Sequence, residues 1–393
     1  MSNNKAYQAG RHFLQIPGPS NVPDRVLRAI AQPTIDHRGP EFAQLTLSIL
    51  DKLTTVFNTE SPIFIYPASG TGGWESSLLN TLCQGDKVLA FETGHFATLW
   101  KNVAVKLGLE VIWVEGDWRQ GIDAAVVEQH LKEDQSHEIK AVLAVHTETS
   151  SGATSDIAKI RKAIDAAKHP ALYMVDAVSS LACTEIRHDD WGIDVTISAS
   201  QKGLMLPPGL CFNAVSEKAL ATGKLSTFPH SYWSWDSMLE LNKRGYFPYT
   251  PSTNLLYGLD EALSMLHNEG MATVFERHRR LAIATQLAVA GWGLENLCVS
   301  PEECSNSTTA VLMPEGHDAD KLRDIILDRF NMSLGMGLGK VKGTVFRIGH
   351  IGDFSELMLA GTLSGVEMGL EIAKVPHKKG GMNAALEFLA NSA

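Results

Sequence analysis

VTISASQKGLMLPPG, residues 195–209, runs from an apolar β-type segment into a lysine, then into a glycine and a second apolar stretch. Lys202 has no acidic residue within seven positions on either side. Burial disfavours the ammonium form, so a lysine in apolar surroundings loses part of its proton affinity. A neutral amine is a nucleophile towards carbonyls, and enzymes that form Schiff bases need one. Taken alone, the run fits a surface loop equally well. The strand ends elsewhere in the chain decide the matter.

Working outward, short apolar runs alternate with helical patterns. Strands are expected at Ile63–Tyr66, Lys87–Glu92, Glu110–Val114, Ala141–His146, Ala171–Val175, Val195–Ser198 and Leu210–Val215. Several are continuous apolar segments, the mark of strands buried on both faces. Helices are expected between them at Gly73–Leu82, Phe96–Leu107 and Asp156–Lys168. This alternation predicts an α/β fold, a mainly parallel seven-stranded sheet covered on both sides. IPGPSNVPD (residues 16–24) carries three prolines and predicts an extended arm, with a helix capped by Asp24. Leu255–Glu269 and Met271–Val289 read as long helices, followed by a smaller α+β pattern over 294–370 and a short terminal helix after 376–381. The expected division is an arm (1–25), a large domain (26–270) and a small C-terminal α+β domain (271–393).

Composition narrows the function. At 393 residues the chain is long for one core. Hydrophobic content of 44% with 20% charged residues describes a globular enzyme. A net charge of −10 argues against nucleic acid or an anionic membrane as partner. The five cysteines, with no CxxC spacing, argue against a disulfide framework or a zinc site. The N-terminal stretch has no apolar core of a secretory signal, and no apolar run is long enough to span a bilayer. The C-terminal Asn391-Ser392-Ala393 is not a peroxisomal address. A cytoplasmic protein is expected.

In open α/β sheets, ligands sit beyond the carboxyl ends of the strands. After Ile63–Tyr66 comes PASGTGGWES, where Ser69, Gly70 and Thr71 turn into a helix and could hold a phosphate. The run is neither a Walker loop nor GxGxxG, so a nucleotide is poorly supported. After Lys87–Glu92 comes Phe96, an aromatic able to stack on a flat ring or simply to fill core. After Ala141–His146 comes the polar cluster HTETSSG (146–152), more hydroxyls than capping the next helix requires. After Ala171–Val175 comes Asp176, a carboxylate at the end of an apolar strand that must be paired or hydrogen-bonded. After Val195–Ser198 comes Gln201-Lys202. A phosphate cradle, a carboxylate for a protonated ring nitrogen and a Schiff-base lysine are the parts that pyridoxal phosphate requires. Arg347, inside the apolar run VFRIGHIG, is costly unless an anion neutralises it, and its planar fork suits a carboxylate. A structural salt bridge is the alternative. FPHSYWSWD (228–236) crowds Tyr232, Trp233 and Trp235 together, suited to a substrate pocket or an interface core.

IPGPSNVP, PASGTGGWE, HTETSSG, YMVDAVSS, SASQKGLMLPPG, FPYTPSTNLLYGL and FRIGHIGD together resemble the class V (fold type I) pyridoxal-phosphate aminotransferases, most of all the serine–glyoxylate and alanine–glyoxylate group. The resemblance spans most of the chain and implies the fold type I architecture, pyridoxal 5'-phosphate as cofactor and a homodimer with shared active sites. It implies that Lys202 forms the Schiff base, Asp176 pairs with the pyridinium nitrogen, Thr149 contacts the ring hydroxyl, and Phe96 and Val178 adjoin the ring. Ser69, Gly70, Thr71 and Gln201 would hold the phosphate, with Thr250 reaching it from the partner subunit. Arg347 would clamp the substrate carboxylate, helped by the backbone near Ser20 and Asn21. Mammalian alanine–glyoxylate relatives place a phosphate-binding tyrosine where this chain has Phe247; Tyr246 or Tyr249 could substitute. The activity implied is ping-pong transamination to glyoxylate, giving glycine, with serine preferred as donor and aspartate or alanine as alternatives. An aspartate donor would need a further cation, for which His37-Arg38 or Arg244 is available. A cysteine desulfurase and a non-catalytic cofactor-binding protein are the competing expectations.

Overall fold

Residues 9–392 are described by a computed structural model. Seven strands form one sheet in the order Ile63–Tyr66, Cys211–Val215, Val195–Ala199, Leu172–Asp176, Ile139–Val145, Lys87–Phe91 and Glu110–Val114. Cys211–Val215 runs antiparallel to both its neighbours, and every other pairing is parallel. The strands ending at Tyr66, Phe91, Val145, Asp176 and Ala199 therefore share one direction, and their carboxyl ends lie along one edge of the sheet. The expected parallel sheet is present, with strand ends displaced by one or two residues. Six of the seven strands are buried almost throughout, as their apolar runs predict; Glu110–Val114, at the sheet edge, is only partly covered.

Two apolar layers sandwich this sheet. One, built on Phe42, Leu53, Phe57, Tyr173 and Phe212, packs helix Pro40–Phe57 and helix Thr253–Glu269 against one face. The other, built on Phe64, Trp74, Trp100, Leu143 and Ile197, covers the opposite face with helices Gly70–Thr81 and His95–Lys106. A third core around Trp292, Leu322, Phe346 and Leu363 belongs to a five-stranded sheet, ordered Phe13–Gln15, Met332–Met336, Val345–Gly349, Thr308–Leu312 and Glu295–Asn296. Gly270, with φ of +84°, separates helix Thr253–Glu269 from helix Met271–Trp292 and makes the turn between them.

Two expectations need correction. The arm adds a feature that the sequence did not show: its segment Phe13–Gln15 pairs in parallel with Met332–Met336 of the second sheet, before the chain crosses to the first. The arm's first eight residues and Ala393 lie outside the described residues. Asp24 is not the cap of helix Asp24–Ile30; Pro23 occupies the cap position, with no side-chain capping bond. Pro23 lacks an N–H and its fixed φ suits the turn, while Asp24 falls in the first helical turn, where its charge still meets the favourable end of the dipole. The helix expected from Gly73 begins at Gly70, so the glycines lie inside its first turn. A small hairpin, Thr147–Glu148 against Ala153–Thr154, was not foreseen because two-residue strands carry no periodicity.

Phe212 sits on the reversed strand between Ile63–Tyr66 and Val195–Ala199, and is fully buried. Phe212→Ala should lower unfolding free energy by about 3–5 kcal/mol, read from the urea midpoint.

Candidate active site

The shared strand edge opens into a cavity of about 210 Å³. Ser69, Gly70, Thr71, Phe96, Thr149, Asp176, Val178, Gln201 and Lys202 all line it. These residues lie at or follow the carboxyl ends of five separate strands. Only the sheet brings them together.

Lys202 is 7% exposed. Its Nζ donates to the carbonyl of Pro17 in the arm. The arm is pinned there by Ser20, whose N–H donates to Gln201 O at 2.9 Å and whose Oγ donates to Lys202 O at 2.9 Å. Gly18, at φ +122°, passes so close that a Cβ there would lie 2.5 Å from Lys202 Cδ and Cε, which restricts this position to glycine. Burial, then the positive charge of Arg347, pulls the Lys202 amine down to about 7.

Asp176, the last residue of its strand, is buried and holds one hydrogen bond on each oxygen. Val178 N donates to Oδ1 at 2.7 Å, and Trp74 Nε1 donates to Oδ2 at 3.0 Å. Trp74 is itself fixed by stacking on Trp100, centroids 5.9 Å apart. Burial pushes the Asp176 carboxyl up to about 7. A cation brought against it would favour the ionised form, so the acid is matched to a protonated ring nitrogen rather than to a neutral one.

Ser69 occupies the N-cap position of helix Gly70–Thr81 but makes no side-chain capping bond. The first-turn amides of Gly70 and Thr71 have no acceptor within the helix. Beside them, Gln201 Oε1 is buried without a hydrogen-bond partner. A bound anion at a helix N-terminus would use these groups. A Cβ at Gly70 would meet Val178 Cγ2 at 2.7 Å, so the glycine lets the phosphate-side turn and the Val178 wall close on one another. Thr149 Oγ1 hydrogen-bonds Ser179 Oγ at the other end of the cavity. This donor set fits pyridoxal phosphate: amides and hydroxyls for the phosphate, an acid for the ring nitrogen, an amine for the aldehyde, and Phe96 and Val178 beside a flat ring.

Arg347 is 6% exposed and lies behind the lining. Its Nη1 donates to Thr149 O at 2.9 Å and its Nε to Met336 O at 2.8 Å. It makes no ion pair among the described residues, so the structural salt bridge is absent and the buried cation meets only carbonyls. The side chains of Ser20 and Asn21 secure the arm: Ser20 Oγ donates to Lys202 O, and Asn21 Nδ2 donates to Leu14 O at 3.0 Å. The carboxylate-binding help expected of this stretch concerns its backbone. Thr250 is exposed and does not line the cavity of its own chain. Phe247 packs on Phe42 at 6.1 Å, and Tyr249 OH donates to Ile65 O at 3.3 Å; neither reaches the cavity. Tyr232 and Trp233 cluster with Tyr66 and Tyr249 outside it.

Two contributors escaped the sequence reading. Trp74 lies in the quoted run PASGTGGWE, and the signal was an indole N–H one turn into a helix that starts at the site. Pro17 contributes only its carbonyl, which no residue pattern reveals. The neutral amine is the reactive form, so reaction of Lys202 with an aldehyde should rise with pH around 7, below the ordinary lysine range. Arg347→Met removes a repelling charge and should move that midpoint upward. Borohydride trapping of the aldehyde adduct across a pH series, with peptide mapping, reads both.

The family model for aminotransferase class-V matches residues 12–337. The serine–glyoxylate aminotransferase of Methylorubrum extorquens is 49% identical, covering 92% of this chain and 91% of its own. That of Arabidopsis thaliana is 44% identical, covering 98% and 96%. The L-aspartate–glyoxylate aminotransferase of Paracoccus denitrificans is 41% identical, covering 95% and 94%. Among solved structures, pyridoxamine–pyruvate aminotransferase from Mesorhizobium loti matches with a TM-score of 0.92 at 28% identity, covering 98% of both chains. Ureidoglycine–glyoxylate aminotransferase from Bacillus subtilis matches at 0.90 and 25%, covering 98% of this chain and 100% of that one. With most of its length matched at this level, and residues of five of the seven quoted runs gathered on one cavity, the chain belongs to the class-V aminotransferases.

Proposed function

We propose that this aminotransferase binds pyridoxal 5'-phosphate in the described cavity and transfers the amino group of serine to glyoxylate, forming hydroxypyruvate and glycine. The observation that carries this reading is a buried amine and a buried carboxyl on one cavity that a helix N-terminus and an unpartnered Gln201 also line. When bound, the cofactor supplies an electron sink for the bond broken at the substrate α-carbon.

The chain's own residues do the rest. Ser69, Gly70, Thr71 and Gln201 would hold the phosphate, and Thr149 the ring hydroxyl. Asp176, steadied by Trp74 and Val178, would keep the ring nitrogen protonated. Lys202 Nζ, close to half-protonated at neutral pH, would take a proton from the substrate α-carbon and return one as general acid. Arg347, with no anion of its own, would receive the substrate carboxylate in a charge-assisted pair.

The donor preference rests on two supports. The more similar relatives quoted are named for serine, although aspartate appears at 41% identity. Within one chain the cavity lining holds a single cation, Lys202, with Arg347 behind it; Arg38 and Arg244 are exposed and outside the lining. Among the described residues of one chain, one carboxylate is thus accommodated, with no second cation on the lining for an aspartate side chain. A cysteine desulfurase would need a thiol at the cavity, and none of the five cysteines lines it. A homodimer is part of the proposal: Thr250, exposed on its own chain, would serve the partner's phosphate site.

Half-reaction spectra with serine, alanine and aspartate should show the fastest conversion with serine; a faster aspartate reaction would overturn the donor assignment. Lys202→Ala should abolish turnover and the visible band of the bound cofactor, and normal turnover in this variant would refute its role. Arg347→Ala should raise KM for amino and keto acid by about 10–100-fold, the scale of a lost charge-assisted pair, with a smaller change in kcat.

A further inference from the structure

Glu148 is a carboxylate in the polar cluster HTETSSG to which neither the resemblance nor the mechanism gives a task. It is 1% exposed and makes no ion pair among the described residues. Instead it accepts a dense set of hydrogen bonds. Phe96 N donates to Oε2 at 3.1 Å and Ala97 N donates to the same oxygen at 3.0 Å. Ser150 N and Ser150 Oγ donate to Oε1 at 3.0 and 2.7 Å. Ser150 Oγ in turn accepts from His95 N at 2.8 Å. Three successive first-turn amides of helix His95–Lys106 are therefore satisfied by residues more than fifty positions later in the chain. The helix's own cap residue, Gly94, offers no side chain. A Cβ at Gly94 would lie 2.3 Å from Glu148 Cγ, so the backbone there leaves the space that the carboxylate fills.

The same short segment carries Thr149, which faces the cavity, and the Thr149 carbonyl accepts from Arg347. One buried carboxylate thus ties the helix turn bearing Phe96 to the loop bearing Thr149 and, through that loop, to Arg347. Carboxylates at helix N-termini are stabilised by the orphan amides and the dipole, and bonds from amides to a charged acceptor are stronger than neutral ones. Replacing the acid by its amide would turn a donating NH₂ towards at least one of these N–H groups, leaving a buried donor unpaired.

We propose that Glu148 is a positioning residue: an N-cap supplied from a distant loop that fixes Phe96 against the ring face of the cavity. This rests on the cofactor site proposed above. Its action is through Phe96 and the 148–150 loop, not by contact with substrate.

A double-mutant cycle on cofactor affinity tests it, measured by quenching of intrinsic tryptophan fluorescence as apoprotein is titrated with pyridoxal phosphate. Glu148→Gln should weaken binding by about tenfold, the scale of one lost charge-assisted hydrogen bond. Phe96→Leu should also weaken it. The double variant should be little worse than Phe96→Leu alone, because the two changes remove the same contact. Multiplicative losses would overturn the proposal, as would unchanged affinity in Glu148→Gln accompanied only by a lower melting temperature. If Glu148→Gln does not fold, Ser150→Ala, which removes one donor to Glu148 and the acceptor of His95 N, enters the same cycle with the same two outcomes. Should the wild-type apoprotein fail to bind the cofactor at all, the site assignment falls; should it bind and the cycle prove multiplicative, only the role of Glu148 falls.

Discussion

Taking an amine out of water is the constraint around which this molecule is arranged. Lys202 is buried just beyond a central strand, where the ammonium form is penalised and, among the described residues, no carboxylate forms an ion pair with it. Its surroundings compensate with a single carbonyl, that of Pro17, delivered by an arm that starts in the other sheet. Arg347, a second buried cation, reinforces the effect. An amine so placed is poised between its charged and neutral forms near pH 7, which is what both nucleophilic capture and proton transfer require.

Asp176 is the complement. Burial raises its carboxyl while Lys202 is lowered, and the two meet at about 7. Both are hydrogen-bonded, yet neither forms an ion pair among the described residues, and nor does Arg347, on which the Glu148 charge acts without direct contact. Gln201 keeps an unpartnered buried oxygen. Buried polar groups normally find partners, so an unpartnered oxygen beside a shifted amine and a shifted carboxyl on one cavity marks where a ligand completes the structure. The site is rigid where it can be: Trp74 is stacked and hydrogen-bonded, Thr149 is tied to Ser179, and the arm is locked by Ser20. The groups left open are those the proposed cofactor and substrate would use.

Both sheets contribute. The seven-stranded sheet supplies the strand ends, whereas Arg347 comes from a strand of the five-stranded sheet and reaches across to Thr149 O. The arm closes the loop by pairing with the second sheet and then covering Lys202. A displacement of either sheet would therefore be felt at both the amine and the guanidinium.

The sequence by itself determined the α/β alternation, because strands buried on both faces must be apolar throughout, and that pattern needs no tertiary knowledge. It also determined which strand ends carry chemistry: Ser69 to Thr71, Asp176 and Lys202 each interrupt an apolar run with a group that burial would penalise. Partnerships were beyond it. Nothing local shows that Glu148 caps a helix beginning at residue 95, that Trp74 donates to Asp176, that Pro17 lends its carbonyl to Lys202, or that Ser20 and Asn21 serve the arm. Those contacts join segments dozens to hundreds of residues apart, and only the packing of the sheets and the path of the arm bring their atoms within hydrogen-bond reach.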